Sequence, residues 1–79
     1  MDQIEKFIAK LQKKQAQKIG KALLDIVALQ LENYDIEKMS GYKNHYRIRI
    51  GKIRVVFLKY PDRGVPIFME YRGSAYKKF

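Results

Sequence analysis

With 79 residues, 47% of them hydrophobic, the chain has room for one core, and residues 1–79 read as a single domain. The lack of cysteine excludes a disulfide framework and thiolate metal sites and fits a reducing cytoplasm, while a lone histidine without clustered carboxylates leaves no metal-ligand set. The net charge of +9 is uneven: +1 from Met1 to Gly41 (seven Lys/Arg against six acids) and +8 from Tyr42 to Phe79 (ten against two), which points to a polyanionic partner.

Met1-Asp2-Gln3-Ile4-Glu5 has neither the basic head nor the apolar run of a secretory signal, and no apolar stretch approaches the length of a membrane span. Ile4, Phe7, Ile8 and Leu11 follow the i, i+3, i+4, i+7 spacing of an amphipathic helix, with Asp2 placed to cap it. A second stripe runs through Ile19, Leu23, Ile26, Val27 and Leu31. The spacing predicts two antiparallel helices, over roughly 2–13 and 15–32, joined near Lys13–Gln15 and closed at Asn33. Tyr34 to Gly41 is then a link.

Tyr46-Arg47-Ile48-Arg49-Ile50 alternates apolar and cationic residues, breaks at Gly51-Lys52 and resumes at Ile53-Arg54-Val55. Successive strand residues point to opposite faces, so a two-residue turn here sets Ile50 opposite Ile53, Arg49 opposite Arg54, Ile48 opposite Val55 and Tyr46 opposite Phe57. One face is apolar. The other carries His45, Arg47, Arg49 and Arg54, and an arginine directly opposite an arginine implies a surface built to meet an anion. Pro61-Asp62-Arg63-Gly64 marks a turn before a strand at Val65–Tyr71, with Pro66 near its start as suits an edge. The fold class is α+β: two N-terminal helices on one face of a three- to four-stranded antiparallel sheet. Ile4, Phe7, Leu11, Leu23, Ile26 and Val27 would meet the apolar hairpin face, and the arginine face would stay wet.

Ser40 and Ser74 have no nucleophile-elbow context, and Gly51 reads as a hairpin turn rather than a phosphate loop. What remains is guanidinium chemistry. Arg47, Arg49, Arg54 and Arg72, with His45, Tyr71 and Tyr76, are the parts needed to hold a phosphodiester and stabilise charge developing on it. Lys43, His45, Lys52, Lys77 and Lys78 would extend the contact with RNA. A basic face that binds RNA or an acidic protein without chemistry is the alternative, in which Tyr42, Tyr46 and Tyr60 merely pack.

Met39-Ser40-Gly41 followed by Tyr46-Arg47-Ile48-Arg49-Ile50-Gly51-Lys52-Ile53-Arg54-Val55-Val56-Phe57 resembles the central signature of RelE/ParE-type toxins of toxin–antitoxin pairs, where a leucine- and glycine-ending linker precedes YRIRIGDYRVIY. Tyr71-Arg72-Gly73-Ser74-Ala75-Tyr76 is similar to that family's closing GHRxxxY. The family's strand before the helices has no counterpart here. The resemblance to RelE implies an endoribonuclease that cuts messenger RNA on the ribosome, the RNA's own 2′-hydroxyl attacking the adjacent phosphate with no metal or other cofactor. By that resemblance Arg47 and Arg49 are the paired basic positions of the first hairpin strand, Arg54 steadies the phosphate, and Arg72 and Tyr76 close the site. RelE-type nucleases carry lysines at the two paired positions, and arginine is no general base, so proton transfer falls to His45 or Tyr76. The implied partners are a small, acidic, partly disordered antitoxin, mRNA and the ribosome, with no membrane and no small-molecule ligand. ParE-like relatives that poison gyrase without cleaving anything stand as the alternative within the family.

Overall fold

The computed structural model describes residues 2–72. Helices α1 (Gln3–Ala9) and α2 (Lys13–Val27) precede four strands, β1 (Asp35–Lys38), β2 (His45–Ile50), β3 (Ile53–Lys59) and β4 (Gly64–Tyr71). The strands form one antiparallel sheet in sequence order, so β1 and β4 are its edges. Both helices pack on the same face, giving the two-layer α+β arrangement anticipated from the sequence.

The Asp2 carboxylate accepts a hydrogen bond from the Glu5 amide at 2.8 Å and starts α1. The helix is shorter than 2–13, because the Lys10 and Leu11 amides bond back only three residues, to Phe7 and Ile8, and tighten the last turn. Gln12 is extended and opens α2, so the junction is at 10–12 rather than Lys13–Gln15. At the other end α2 stops at Val27, five residues before the expected end, and Asn33 is not its cap. Leu29 takes the left-handed conformation (φ +57°), its amide bonding to Ile26 O and that of Gln30 to Asp25 O. Those are the two hydrogen bonds of a Schellman ending, built on leucine where glycine is the usual choice. No sequence signal marks it.

Ile19, Ala22 and Ile26 of α2 are buried, and Ile4, Phe7, Ile8, Leu11 and Leu23 pack around them. Val27, expected in the core, is 48% exposed. It lies roughly 80° round the helix from Ile19, off the buried stripe. The sheet contributes Ile48, Ile50, Ile53, Val55, Phe57 and Met69 to the core.

Three local contacts fix the strands under the helices. Tyr34 OH donates to the Asp25 carboxylate of α2, which Lys21 also holds at 2.7 Å, placing the start of β1. The hydrogen bonds from Lys21 and then Tyr34 hold the Asp25 carboxyl below the usual range. Gly64 opens β4 against α2 so closely that a Cβ there would lie 2.3 Å from Ile26 O. The Gln3 side-chain amide both donates to Met69 O (2.7 Å) and accepts from Met69 N (2.9 Å), pairing the outer edge of β4 as a neighbouring strand would.

The hairpin register is the one the alternation requires: Ile50 opposite Ile53, Arg49 opposite Arg54, Ile48 opposite Val55, Tyr46 opposite Phe57. Two features of the sheet differ from expectation. The segment Tyr34–Gly41 contains strand β1, paired with β2 from Asp35–Arg49 to Lys38–Tyr46. The last strand begins one residue earlier than Val65 and carries an irregularity where Pro66 and Phe68 face Phe57 and Val56, leaving Ile67 without an opposite number.

Candidate functional site: a charged row across the open face

Away from the helices the sheet presents a charged surface. Its register sets four residues in line across all four strands: Asp35 on β1, Arg49 on β2, Arg54 on β3 and Glu70 on β4. A parallel row places Glu37 beside Arg47, then Val56, then Phe68. Two arginines therefore do stand opposite one another across the hairpin, as the alternation implied. Each is flanked on its far side by a carboxylate of the same protein.

The three ion pairs differ. Arg49 grips Asp35 through Nη2 at 2.6 Å and Nε at 3.2 Å, with both side chains well exposed. Arg47 Nη2 lies 3.9 Å from Glu37 Oε1, too far for a hydrogen bond, and the Glu37 side chain is 75% exposed. Arg54 Nη1 is also 3.9 Å from its partner, Glu70, but Glu70 is buried, its side chain only 9% exposed. So the pairs run from a closed surface clasp, through a loose one, to a loose pair sunk in the sheet.

Asp35, Glu37, Arg47, Arg49 and Arg54 line one shallow cavity of about 270 Å³. The Nε of Arg47 is buried with no acceptor, alone in that among the side-chain nitrogens and oxygens of the described residues. Three cations around one cavity suit a tetrahedral oxyanion, and guanidiniums present paired N–H groups to phosphate oxygens. The cavity's own carboxylates compete for those donors.

The other sequence-derived candidates are spread around this centre. Arg72 follows β4, its amide donating to Lys52 O at 2.7 Å, so both residues sit at the hairpin-turn end of the sheet. His45 begins β2, four residues from Arg49, or about 13 Å along a strand. Its Nδ1 lies 2.7 Å from Lys43 O, and because a carbonyl only accepts, Nδ1 is the donor in that contact. Lys43 is exposed in the β1–β2 loop, which encloses a second open cavity with Lys38 and Tyr42. Tyr46 stacks on Phe57 and Tyr60 lies beneath the Arg63 guanidinium, so both pack rather than offer a bare ring. Tyr71 packs on Phe7, on the helix side of the sheet. Tyr76, Lys77 and Lys78 lie outside the described residues.

The sequence reading missed Asp35 and Glu37. Their signal was there: Tyr34-Asp35-Ile36-Glu37 alternates with period two, as a half-buried strand does. Among the described residues no group of three or more His, Cys, Asp or Glu is placed to hold a metal ion, and no helix is long and apolar enough to cross a membrane.

No family model matches the chain, and no curated protein matches its sequence. A solved structure does. One chain of the crystal structure of a RelB–RelE antitoxin–toxin complex from Methanococcus jannaschii superposes with a TM-score of 0.61 at 26% identity, over 87% of this chain and 84% of that one. The present chain thus has a fold found in a toxin–antitoxin assembly.

Proposed function

We propose that this chain is the toxin of a toxin–antitoxin pair, acting in the cytoplasm as a ribosome-dependent mRNA endonuclease. The observation that carries the reading is the likeness to a chain of the RelB–RelE complex across 87% of the sequence. The arginine cavity supports the substrate. Arg47, Arg49 and Arg54 would hold the scissile phosphate and stabilise the charge it gathers as the 2′-oxygen attacks. Arg72 and Tyr76 would complete the site from the C-terminal side, with Lys43, His45, Lys52, Lys77 and Lys78 contacting RNA beyond it. A cognate antitoxin with an acidic, disordered segment would cover the arginine face or draw the C-terminal residues from it, and its affinity would fall as salt rises.

The test is induction of the chain in cells, alone and with the adjacent reading frame. Growth arrest relieved by a small acidic neighbour, with mRNA fragments that appear only when ribosomes are engaged, is the expected result. A second reading is favoured by the carboxylates: the row Asp35–Arg49–Arg54–Glu70 is internally neutral, as suits a binding surface without chemistry. Growth arrest with intact mRNA and inhibited gyrase would establish that alternative.

A further inference from the structure

Resting on the nuclease reading, the geometry points to Glu37 as the general base that takes the proton from the attacking 2′-hydroxyl. Cleavage by an internal hydroxyl needs two things within a few ångströms: cations for the phosphate and an acceptor for one proton. The cavity supplies cations in three arginines, none of which can accept a proton. Among the described residues its acceptors are the carboxylates of Asp35 and Glu37.

The two are not equivalent. Asp35 takes two hydrogen bonds from Arg49, at 2.6 and 3.2 Å, both on Oδ2, and they tie its carboxylate to that guanidinium. Glu37 stands 3.9 Å from Arg47 without a hydrogen bond, on a side chain one methylene longer and three-quarters exposed. It reaches into the cavity from the open edge of the sheet and has lone pairs to spare. Glu70 does not line the cavity, and neither does His45. Arg47, directly across the ladder from Glu37, also lines the cavity, and its Nη2 lies 3.9 Å from Glu37 without a hydrogen bond to it. A non-bridging phosphate oxygen on Arg47 would set the neighbouring ribose hydroxyl beside Glu37.

The step balances without a co-reactant. Glu37 accepts the 2′-hydroxyl proton as the 2′-oxygen bonds to phosphorus. The bond from phosphorus to the 5′-oxygen breaks, and that oxygen is protonated from solvent. A 2′,3′-cyclic phosphate and a 5′-hydroxyl result, and Glu37 returns its proton to water. The same carboxylate gives a reason for RNA over DNA, since the 2′-hydroxyl is what separates the two at a given position.

The experiment compares Glu37→Gln, Glu37→Asp and Asp35→Asn with the wild type in RNA binding at low salt and in cleavage of ribosome-bound mRNA. Glu37→Gln removes a negative charge beside two guanidiniums, so RNA should bind several-fold tighter. Its cleavage should fall by roughly 10²–10³-fold. This opposite movement is the diagnostic. Asp35→Asn removes the same charge from the same cavity and should lose far less rate than Glu37→Gln, and Glu37→Asp should keep the affinity while losing rate. Cleavage by Glu37→Gln at or above the wild-type rate would overturn the assignment, leaving the carboxylate a mere counter-ion. A wild type that binds RNA but cleaves none, even on ribosomes, would instead remove the nuclease reading and the base with it. Thermal melting of each variant guards against misfolding, and the exposure of Glu37 predicts little change.

Discussion

The two faces of the sheet are built from alternate residues of the same strands and obey different rules. On the helix side Ile48, Ile53, Val55, Phe57 and Met69 are at most 1% exposed and belong to one hydrophobic cluster. On the open side the same strands carry Arg47, Arg49 and Arg54 in line with carboxylates. The first face is held by exclusion of water, roughly 25 cal/mol for each Å² of apolar surface removed from it. The second is graded: the Arg49–Asp35 pair at its β1 edge is exposed, where such a pair contributes about 0–1 kcal/mol, while Glu70 and Val56 are buried. The exposed edge is the part a ligand can reorganise without threatening the fold. That division lets one small sheet serve as both scaffold and candidate site.

Adjacent residues of β3 give the sharpest test of the contrast. Phe57 is wholly buried beneath the helices, whereas Leu58 is half-buried on the open face. Phe57→Ala should cost about 3–5 kcal/mol, enough to unfold much of so small a domain, while Leu58→Ala should cost about 1 kcal/mol. Chemical denaturation measures both. Equal costs would mean that the open face is a second core.

The attachment of the helices to the sheet can be broken at Gly64. A Cβ there meets the Ile26 carbonyl, a backbone atom that cannot swing away, so Gly64→Ala must separate α2 from β4. A loss of about 1–3 kcal/mol is expected, the usual range for overpacking. Hydrogen exchange should report it first at the C-terminal turn of α2. Unchanged melting would show that the two elements are not rigidly docked.

Much of this was legible in advance. The strict alternation of Tyr46 to Val55 around Gly51-Lys52 determines the hairpin register, because a slip of one residue would turn every arginine into the core. Asp2 announced α1 by its capping chemistry. The end of α2 was hidden, since Leu29 adopts a left-handed conformation that its side chain does not advertise. The acidic half of the site was hidden for another reason. Asp35 and Glu37 precede the basic region, and a charge count along the chain assigns them to the helical half. Antiparallel pairing brings them back beside Arg49 and Arg47. Charge along a sequence and charge across a sheet are different sums.

On the open face Arg54 and Arg49 should behave differently despite facing one another. Arg54 partners Glu70, whose side chain is 9% exposed, so Arg54→Ala leaves a carboxylate with neither water nor a cation. We expect a loss of about 2–3 kcal/mol, near the low end for a broken buried pair because Arg54 itself is part-exposed. Two facing arginines repel one another, so removing one would by itself cost little, and Glu70 reverses that for Arg54. The double variant Arg54→Ala with Glu70→Gln should recover most of the loss. Failure of the second change to rescue the first would mean that Arg54 stabilises through its aliphatic stem rather than its charge.

The smallest expected effect on stability is at Asp35. Its clasp with Arg49 is short and doubly hydrogen-bonded, yet the side chains are 65% and 45% exposed. Water competes for both partners, and salt screens what remains, so Asp35→Asn should change the unfolding free energy by less than about 1 kcal/mol. The charge balance of the face responds more strongly. With Asp35 neutral, the row from β1 to β4 has two cations against the single anion Glu70. Affinity for single-stranded RNA should rise, and its dependence on salt concentration should steepen, because one more cation is free to meet a phosphate and release its counter-ions. Melting curves and RNA titrations at two salt concentrations separate the effects. A large loss of stability would put the open face under the same rule as the core. Unchanged RNA affinity would mean that Arg49 is not among the cations the ligand uses, and that the Arg47 side of the cavity does the binding.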